Sequence, residues 1–348
     1  MSSTLEEIFA WMEEGNPPPN DAGLFGATIP WDLANIHVIG APWDATTSYG
    51  AGTSQGPAAV LQASHQLDLE DQVFGQAYRA GIAFKNLVGL SASNEAARQL
   101  AEQVIAQWED GQAPSANLLD TVNEFSLDAH FLISETIRES LIQGQRVGLL
   151  GGDHSTSYGS IQAHAQMNPE FGILHIDAHH DLRVAYEGFT HSHASIMYNV
   201  METIPQVTQL VSVGIRDFST QEKQYAKQHP ERIVTFYDEE LFNEKACGVP
   251  YHRLVDEMLA PLPDAIYISL DIDGLSPEFG PNTGTPVPGG LSYSEVAYIL
   301  RRIKDSRHTL IGFDLVEVAP GESEWDANVG ARLLYKLCGL LGYTNQLY

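Results

Sequence analysis

Three segments of this chain share one layout: LLGGDHS at 149–155, ILHIDAHHD at 173–181 and IYISLDIDG at 266–274 each run apolar and then break into aspartate and histidine. Short apolar runs rich in β-branched residues predict strands buried on both faces. Such runs recur at Ile36–Ile39, Val147–Leu150, Ile173–Ile176, Leu210–Val213, Ile233–Phe236, Ile266–Leu270 and Leu310–Leu315. Between them, Ala92–Trp108, Leu127–Ile142, Tyr293–Lys304 and Asn328–Leu341 carry apolar residues at helical spacing. This alternation predicts a doubly wound α/β sandwich around a mainly parallel sheet. In such sheets ligands gather beyond the carboxyl ends of the strands, so three separate strand ends can deliver these polar groups to one place.

The rest of the chain bounds the answer. At 348 residues and 43% hydrophobic composition it can bury a large core. Residues 1–30, with GNPPPNDAG, read as an N-terminal arm that packs on a neighbouring subunit or on the sheet edge, and 31–348 read as a single domain. No apolar run is long enough to cross a bilayer, and the acidic start MSSTLEEIFAWMEEGN lacks the form of a signal peptide, which predicts a cytoplasmic protein. Cys247 and Cys338 offer no CxxC spacing. A formal charge of -27 argues against nucleic acid and anionic membrane as partners and favours a cationic substrate.

The polar bursts have the chemistry of a metal site. Asp177, His179 and Asp181 alternate along the chain, as do Asp271 and Asp273, and alternate residues of an extended segment point to one side. His154 closes the Val147–Leu150 strand. Four clustered carboxylates repel one another unless cations neutralise them. Mixed His and Asp ligands suit manganese, nickel, iron or zinc, and two divalent ions balance four aspartates. A lone DxD is commonly a helix cap or a surface loop. Three such bursts after three apolar strands point to a metal centre.

In the segments GGDHS, DAHHD and SLDIDGLSP followed by GTPVPGG, from about Ile36 onward, the chain resembles the ureohydrolases, the arginase and agmatinase superfamily. The resemblance implies an arginase-like α/β/α sandwich with about eight strands and a binuclear manganese or nickel centre. One ion would be held by His154, Asp177, Asp181 and Asp271, the other by His179, Asp177, Asp271 and Asp273. It implies hydrolysis of a guanidino C–N bond, giving urea plus an amine or ammonia. His193, in THSHAS, matches the proton-shuttling histidine, and Glu317, in FDLVEVAP, the carboxylate that orients the guanidinium. His180 and His191 read as supporting or surface residues. A homotrimer or homohexamer is expected, and a hetero-oligomer with a paralogue stays open.

Ser276 stands where family members commonly carry Asp, which puts the hydrogen bonding of that loop in question. The segment YGAGTSQGPAAV fails the dinucleotide fingerprint and reads as a turn into a helix at the mouth of the site. The loop LRVAYEGFTHSHAS and the later EWDANVGARLLYKLCG resemble agmatinase-like sequences that include hydrolases of free guanidine, which disfavours arginine as substrate. Agmatine, free guanidine and small alkylated guanidines or biguanides remain open. Arg183, Tyr186 and Trp325 are expected to shape a pocket for small substrates. The rival classes are a formimino or amidine hydrolase, a zinc-dependent deacetylase with a single ion, and a non-catalytic subunit, which would lack ligands that this chain retains.

Overall fold

Each of the seven apolar runs becomes a strand in the computed structural model, which describes residues 4–15, 17–19, 21–47 and 49–348. The strands are β1 (Ile36–Ala41), β2 (Ile82–Asn86), β3 (Arg146–Gly151), β4 (Phe171–Ile176), β5 (Val207–Ile215), β6 (Ile233–Tyr237), β7 (Ala265–Asp271) and β8 (Thr309–Val316). They form one eight-stranded sheet in the order β2-β1-β3-β8-β7-β4-β5-β6. Every pairing is parallel, so the mainly parallel expectation becomes an entirely parallel sheet. The strand without an apolar signal is β2, whose IAFKN sequence is half exposed at the sheet edge.

Neighbouring residues on each strand feed opposite faces, as the two-residue period requires. Leu150 and Leu174 join one core with helices Gly56–Ser64, Tyr251–Leu259, Tyr293–Lys304 and Trp325–Thr344. Leu149 and Ile173 turn the other way, toward helices that include Ala116–Ile142, Ser157–Ala165 and Ile196–Thr203. The result is a three-layer α/β/α sandwich. Helix Ala116–Ile142 begins eleven residues before the periodic run at Leu127, because its first turns bury only Val122 and Ser126 and carry little pattern.

The N-terminal segment packs on its own chain. Thr4 and Glu7 form a reciprocal capping box that starts helix Leu5–Glu13, and the Phe9 ring meets Tyr78 edge-on at 5.5 Å. Tyr78 donates to Glu13 Oε1 at 2.8 Å, while Leu24 and Phe25 are buried in the main core. YGAGTSQGPAAV forms a turn into helix Gly56–Ser64, with Asp44 Oδ2 accepting from the Gly52 and Ser54 amides. No helix among the described residues is long and apolar enough to cross a membrane.

One consequence of the strand order governs the site. The four central strands β3, β8, β7 and β4 are adjacent, so residues at their carboxyl ends converge without help from the sheet edges. Register also aligns a polar row across β8, β7, β4 and β5: Asp314 pairs with Ser269, Ser269 with His175, and His175 with Ser212. All four side chains are fully buried.

Candidate metal centre

His154 lies in the turn after β3, and its Nδ1 stands 3.0 Å from Asp177 Oδ2, 3.0 Å from Asp181 Oδ2 and 3.3 Å from Asp271 Oδ2. His179 Nδ1 lies 3.4 Å from the other Asp177 oxygen, Oδ1, and 3.1 Å from Asp273 Oδ2. The six residues singled out from sequence thus form two clusters that share Asp177. Asp271 faces the first cluster, and its Oδ1 accepts from the Asp273 amide at 2.8 Å.

The local geometry differs from the extended alternation expected of DAHHD. The chain leaves strand conformation after Ile176, and Asp181 takes φ +54, a left-handed conformation that costs an L-residue about 1–2 kcal/mol. Its carbonyl is pinned by the Met197 and Tyr198 amides at 3.0 and 3.1 Å. The turn sends Asp177 and Asp181 to the first cluster and His179 to the second. The Asp271–Asp273 pair is likewise a 3-10 turn, Ile272–Gly274, capped by Asp271.

Beneath the ligands sits the polar row. His154 Nε2 bonds Ser269 Oγ at 2.9 Å, and Ser269 donates its single proton to Asp314 Oδ1 at 2.8 Å. His154 must therefore donate from Nε2, which leaves a lone pair on Nδ1 aimed at the carboxylates. His175 holds Asp177 Oδ2 through Nε2 at 2.8 Å, with Ser212 Oγ at 3.1 Å on its other nitrogen. His175, Ser269 and Asp314 were missed in the sequence. The signal available was a polar residue two positions before the ligand in HID and SLD, one pleat below it on the same face.

The electrostatics have the character of a cation site. Burial, reinforced by Asp273 and Asp177, raises Asp271 well above the carboxylate range, and burial beside Asp177 raises Asp181 to about 6. Burial would depress His179, yet Asp273 and Asp177 lift it to about 12; burial opposes His154 too, and Asp177, Asp181 and Asp271 overcome it. Without a cation the clusters can satisfy their charge only by taking up protons. The His154 Nδ1 atom is buried and faces the Asp177, Asp181 and Asp271 carboxylates, the setting a metal-binding nitrogen would have. The donor set of imidazole nitrogens and carboxylate oxygens fits a transition-metal pair.

Above the clusters opens a cleft of ≈ 260 Å³, whose lining includes His179, Asp181, Arg183, Tyr186, His193 and Glu222. The His193 ring meets Tyr186 at 5.9 Å, its Nδ1 is buried without a partner, and burial together with His179 and His154 lowers its pKa to about 4. Arg183 lies 4.9 Å over the Tyr186 ring and 3.4 Å from Glu222 Oε2. Tyr49, from the segment expected at the mouth of the site, and Thr285, from GTPVPGG, also border the cleft, as do Asp217 and Phe218, which had no sequence signal.

Glu317 follows β8 with φ +61, and its Oε1 accepts from the His154 amide at 2.9 Å. Burial raises its pKa well above the usual range, helped by Asp271 and Asp153. Trp325 stands outside the cleft lining, half exposed, with its indole N–H committed to the Glu278 carbonyl at 2.7 Å. His180 is buried against Phe218 and Tyr237, and His191 packs on His130 and Tyr158. Around Ser276 the loop is tied by backbone, with Ser276 N donating to Leu291 O at 2.8 Å and Leu291 N to Gly274 O at 3.1 Å.

Comparison with known proteins agrees with this geometry. The model of the Arginase family matches residues 34–339. The chain is 32% identical over 314 residues to an N(1)-aminopropylagmatine ureohydrolase of Thermus thermophilus, covering 90% of this chain and 92% of that protein. It is 30% identical over 327 residues to an agmatinase of Bacillus subtilis, covering 92% and 96%. Among solved structures, proclavaminate amidinohydrolase from Streptomyces clavuligerus superposes with TM-score 0.73 at 22% identity, over 94% of this chain and 99% of that one, which speaks for the fold.

Proposed function

This chain belongs to the arginase family, and on that premise we propose that it hydrolyses a C–N bond of a small cationic guanidino compound, releasing urea with an amine or ammonia. The observation that carries the reading is Asp177, whose two oxygens stand in two different metal-type clusters. Two divalent ions, manganese or nickel, would be held by His154, Asp177, Asp181 and Asp271 and by His179, Asp177, Asp271 and Asp273. Bound there, such a pair supplies the Lewis acidity that brings a water's pKa toward neutrality.

The remaining work falls to side chains. Neutral His193, at the cleft wall, accepts a proton released by the attacking water and returns it to the leaving nitrogen, without which the tetrahedral carbon cannot collapse to urea. Glu317 offers the carboxylate that pairs with two N–H groups of the planar guanidinium. Arg183 and Tyr186, stacked at the wall, narrow the cleft toward compact substrates; the exposed Trp325 has no part in that wall. Because one chain carries the whole ligand set, we assign activity to this chain without a paralogous subunit.

The test is urea release from agmatine, arginine, guanidine, guanidinobutyrate and dimethylated guanidines, with manganese and nickel loaded separately. Turnover of at least one compact guanidine, above arginine, is expected. Failure on every compound with both ions bound overturns the assignment and turns attention to formimino compounds.

A further inference from the structure

Arg216 lies just beyond β5, outside every ligand motif, yet its guanidinium reaches three separate stretches of chain. Nη2 donates to the carbonyls of Asp273 at 2.6 Å, Val287 at 3.0 Å and Leu275 at 3.1 Å; Nη1 donates to Gly214 O at 3.1 Å and Nε to Val287 O at 3.3 Å. Among the described residues this cation makes no ion pair. It is committed entirely to backbone carbonyls, a use that suits the rigid five-donor fork of arginine.

The same contact explains the paired glycines of GTPVPGG. A β-carbon at Gly290 would lie 2.8 Å from Arg216 Nη2 and from the Leu275 backbone, and one at Gly289 would lie 2.6 Å from Asp238 Oδ2. Both have φ near +95, and the Gly290 amide donates to Asp238 at 3.1 Å. The other end of this loop reaches the cleft: Thr285 borders it, and Gly284 faces Glu317 Oε2.

We propose that Arg216 is the positioning residue of the second cluster. Its grip on the Asp273 carbonyl sets the backbone from which the Asp273 carboxylate faces His179, and its grip on Val287 fixes the loop carrying Thr285 beside that carboxylate. The first cluster, His154, Asp177, Asp181 and Asp271, is built without it. The proposal rests on the two-ion reading of the site.

Manganese titration calorimetry on the full chain, wild type and the Arg216→Met and Arg216→Lys variants, tests it. Wild type is expected to bind two ions. The variants should keep one ion at wild-type affinity and bind the other about 10–100-fold more weakly, with Arg216→Lys less affected and the melting temperature of the metal-free protein little changed. If Arg216→Met does not fold, Arg216→Lys carries the same comparison of the two sites. Two ions at wild-type affinity in all variants, or equal weakening of both sites with a lowered metal-free melting temperature, overturns the proposal. A wild-type chain that binds fewer than two ions overturns the reading of the site itself, and this assignment with it.

Discussion

His154, after β3, and Ser269, on β7, meet over the intervening strand β8 through a 2.9 Å bond from imidazole Nε2 to hydroxyl Oγ, and Asp314 of β8 takes the hydroxyl proton at 2.8 Å. This relay fixes which nitrogen of His154 is free. Ser269→Ala and Asp314→Asn should therefore weaken metal binding about 10–100-fold while leaving every ligand in place. Competition with a fluorescent chelator reads the change, and unaltered affinity in both variants would refute the relay.

Replacing Asp177 should differ in kind from replacing either of its neighbours. Asp177→Ala removes an oxygen from each cluster and should abolish binding of both ions, whereas Asp181→Ala touches only the first and Asp273→Ala only the second. Elemental analysis of the purified variants is expected to find about two ions in wild type, fewer than one in the first variant and about one in each of the others. Equal metal content in all three variants would contradict the shared-carboxylate arrangement.

His193→Ala should lower kcat by about 10²–10⁴-fold, the usual worth of a proton carrier, with the metal content unchanged. Partial rescue by added imidazole would mark proton transfer as the lost step. Because the cleft lowers His193 to about 4, it stays neutral throughout the pH range 6–9, so the wild-type kcat should show no acid limb from this residue there.

Tyr186→Ala should widen the cleft at the Arg183 stack and shift kcat/KM toward longer guanidines over free guanidine, on the order of 10–200-fold. The ratio of kcat/KM for agmatine to that for guanidine is the measurement. A ratio equal to wild type would remove Tyr186 from the substrate wall.

Stability should fall on acidification through two buried histidines that do not line the cleft. Burial lowers His164 to about 4 and His130 to about 3, against an ordinary value of 6.5. The unfolded chain then binds more protons than the native one between those limits. Stability is full above pH 6.5 and declines below it, by about 1.4 kcal/mol per pH unit for each residue, until the folded value is reached. Denaturant titrations from pH 7 to 4 should show a shallower slope for His164→Gln than for wild type.

How much of this could be seen in the sequence depends on whether the signal was local. The strands at Ile173–Ile176 and Ile266–Leu270 and the ligands after them were legible because an apolar run ending in charge is written in consecutive residues. IAFKN of β2 was not, since a half-exposed edge strand has too few apolar residues to stand out. Ser269, His175 and Asp314 read as isolated polar interruptions; only the register of β8, β7 and β4 makes them neighbours. Asp217, Phe218 and Glu222 reach the cleft from the segment after β5, and nothing near them resembles a ligand motif. Trp325 fails in the opposite sense: close to telling residues in the chain, it points its indole at Glu278.

The left-handed backbones of Asp181 and Glu317 restrict which sequences can occupy this scaffold. At these two places a β-branched residue would be disfavoured on backbone grounds before its side chain is considered, and glycine would relax the turn while deleting the carboxylate. Asparagine at 181 and glutamine at 317 are the replacements that keep both the shape and the reach, so a descendant that abandons catalysis but preserves its architecture should pass through amides at these positions.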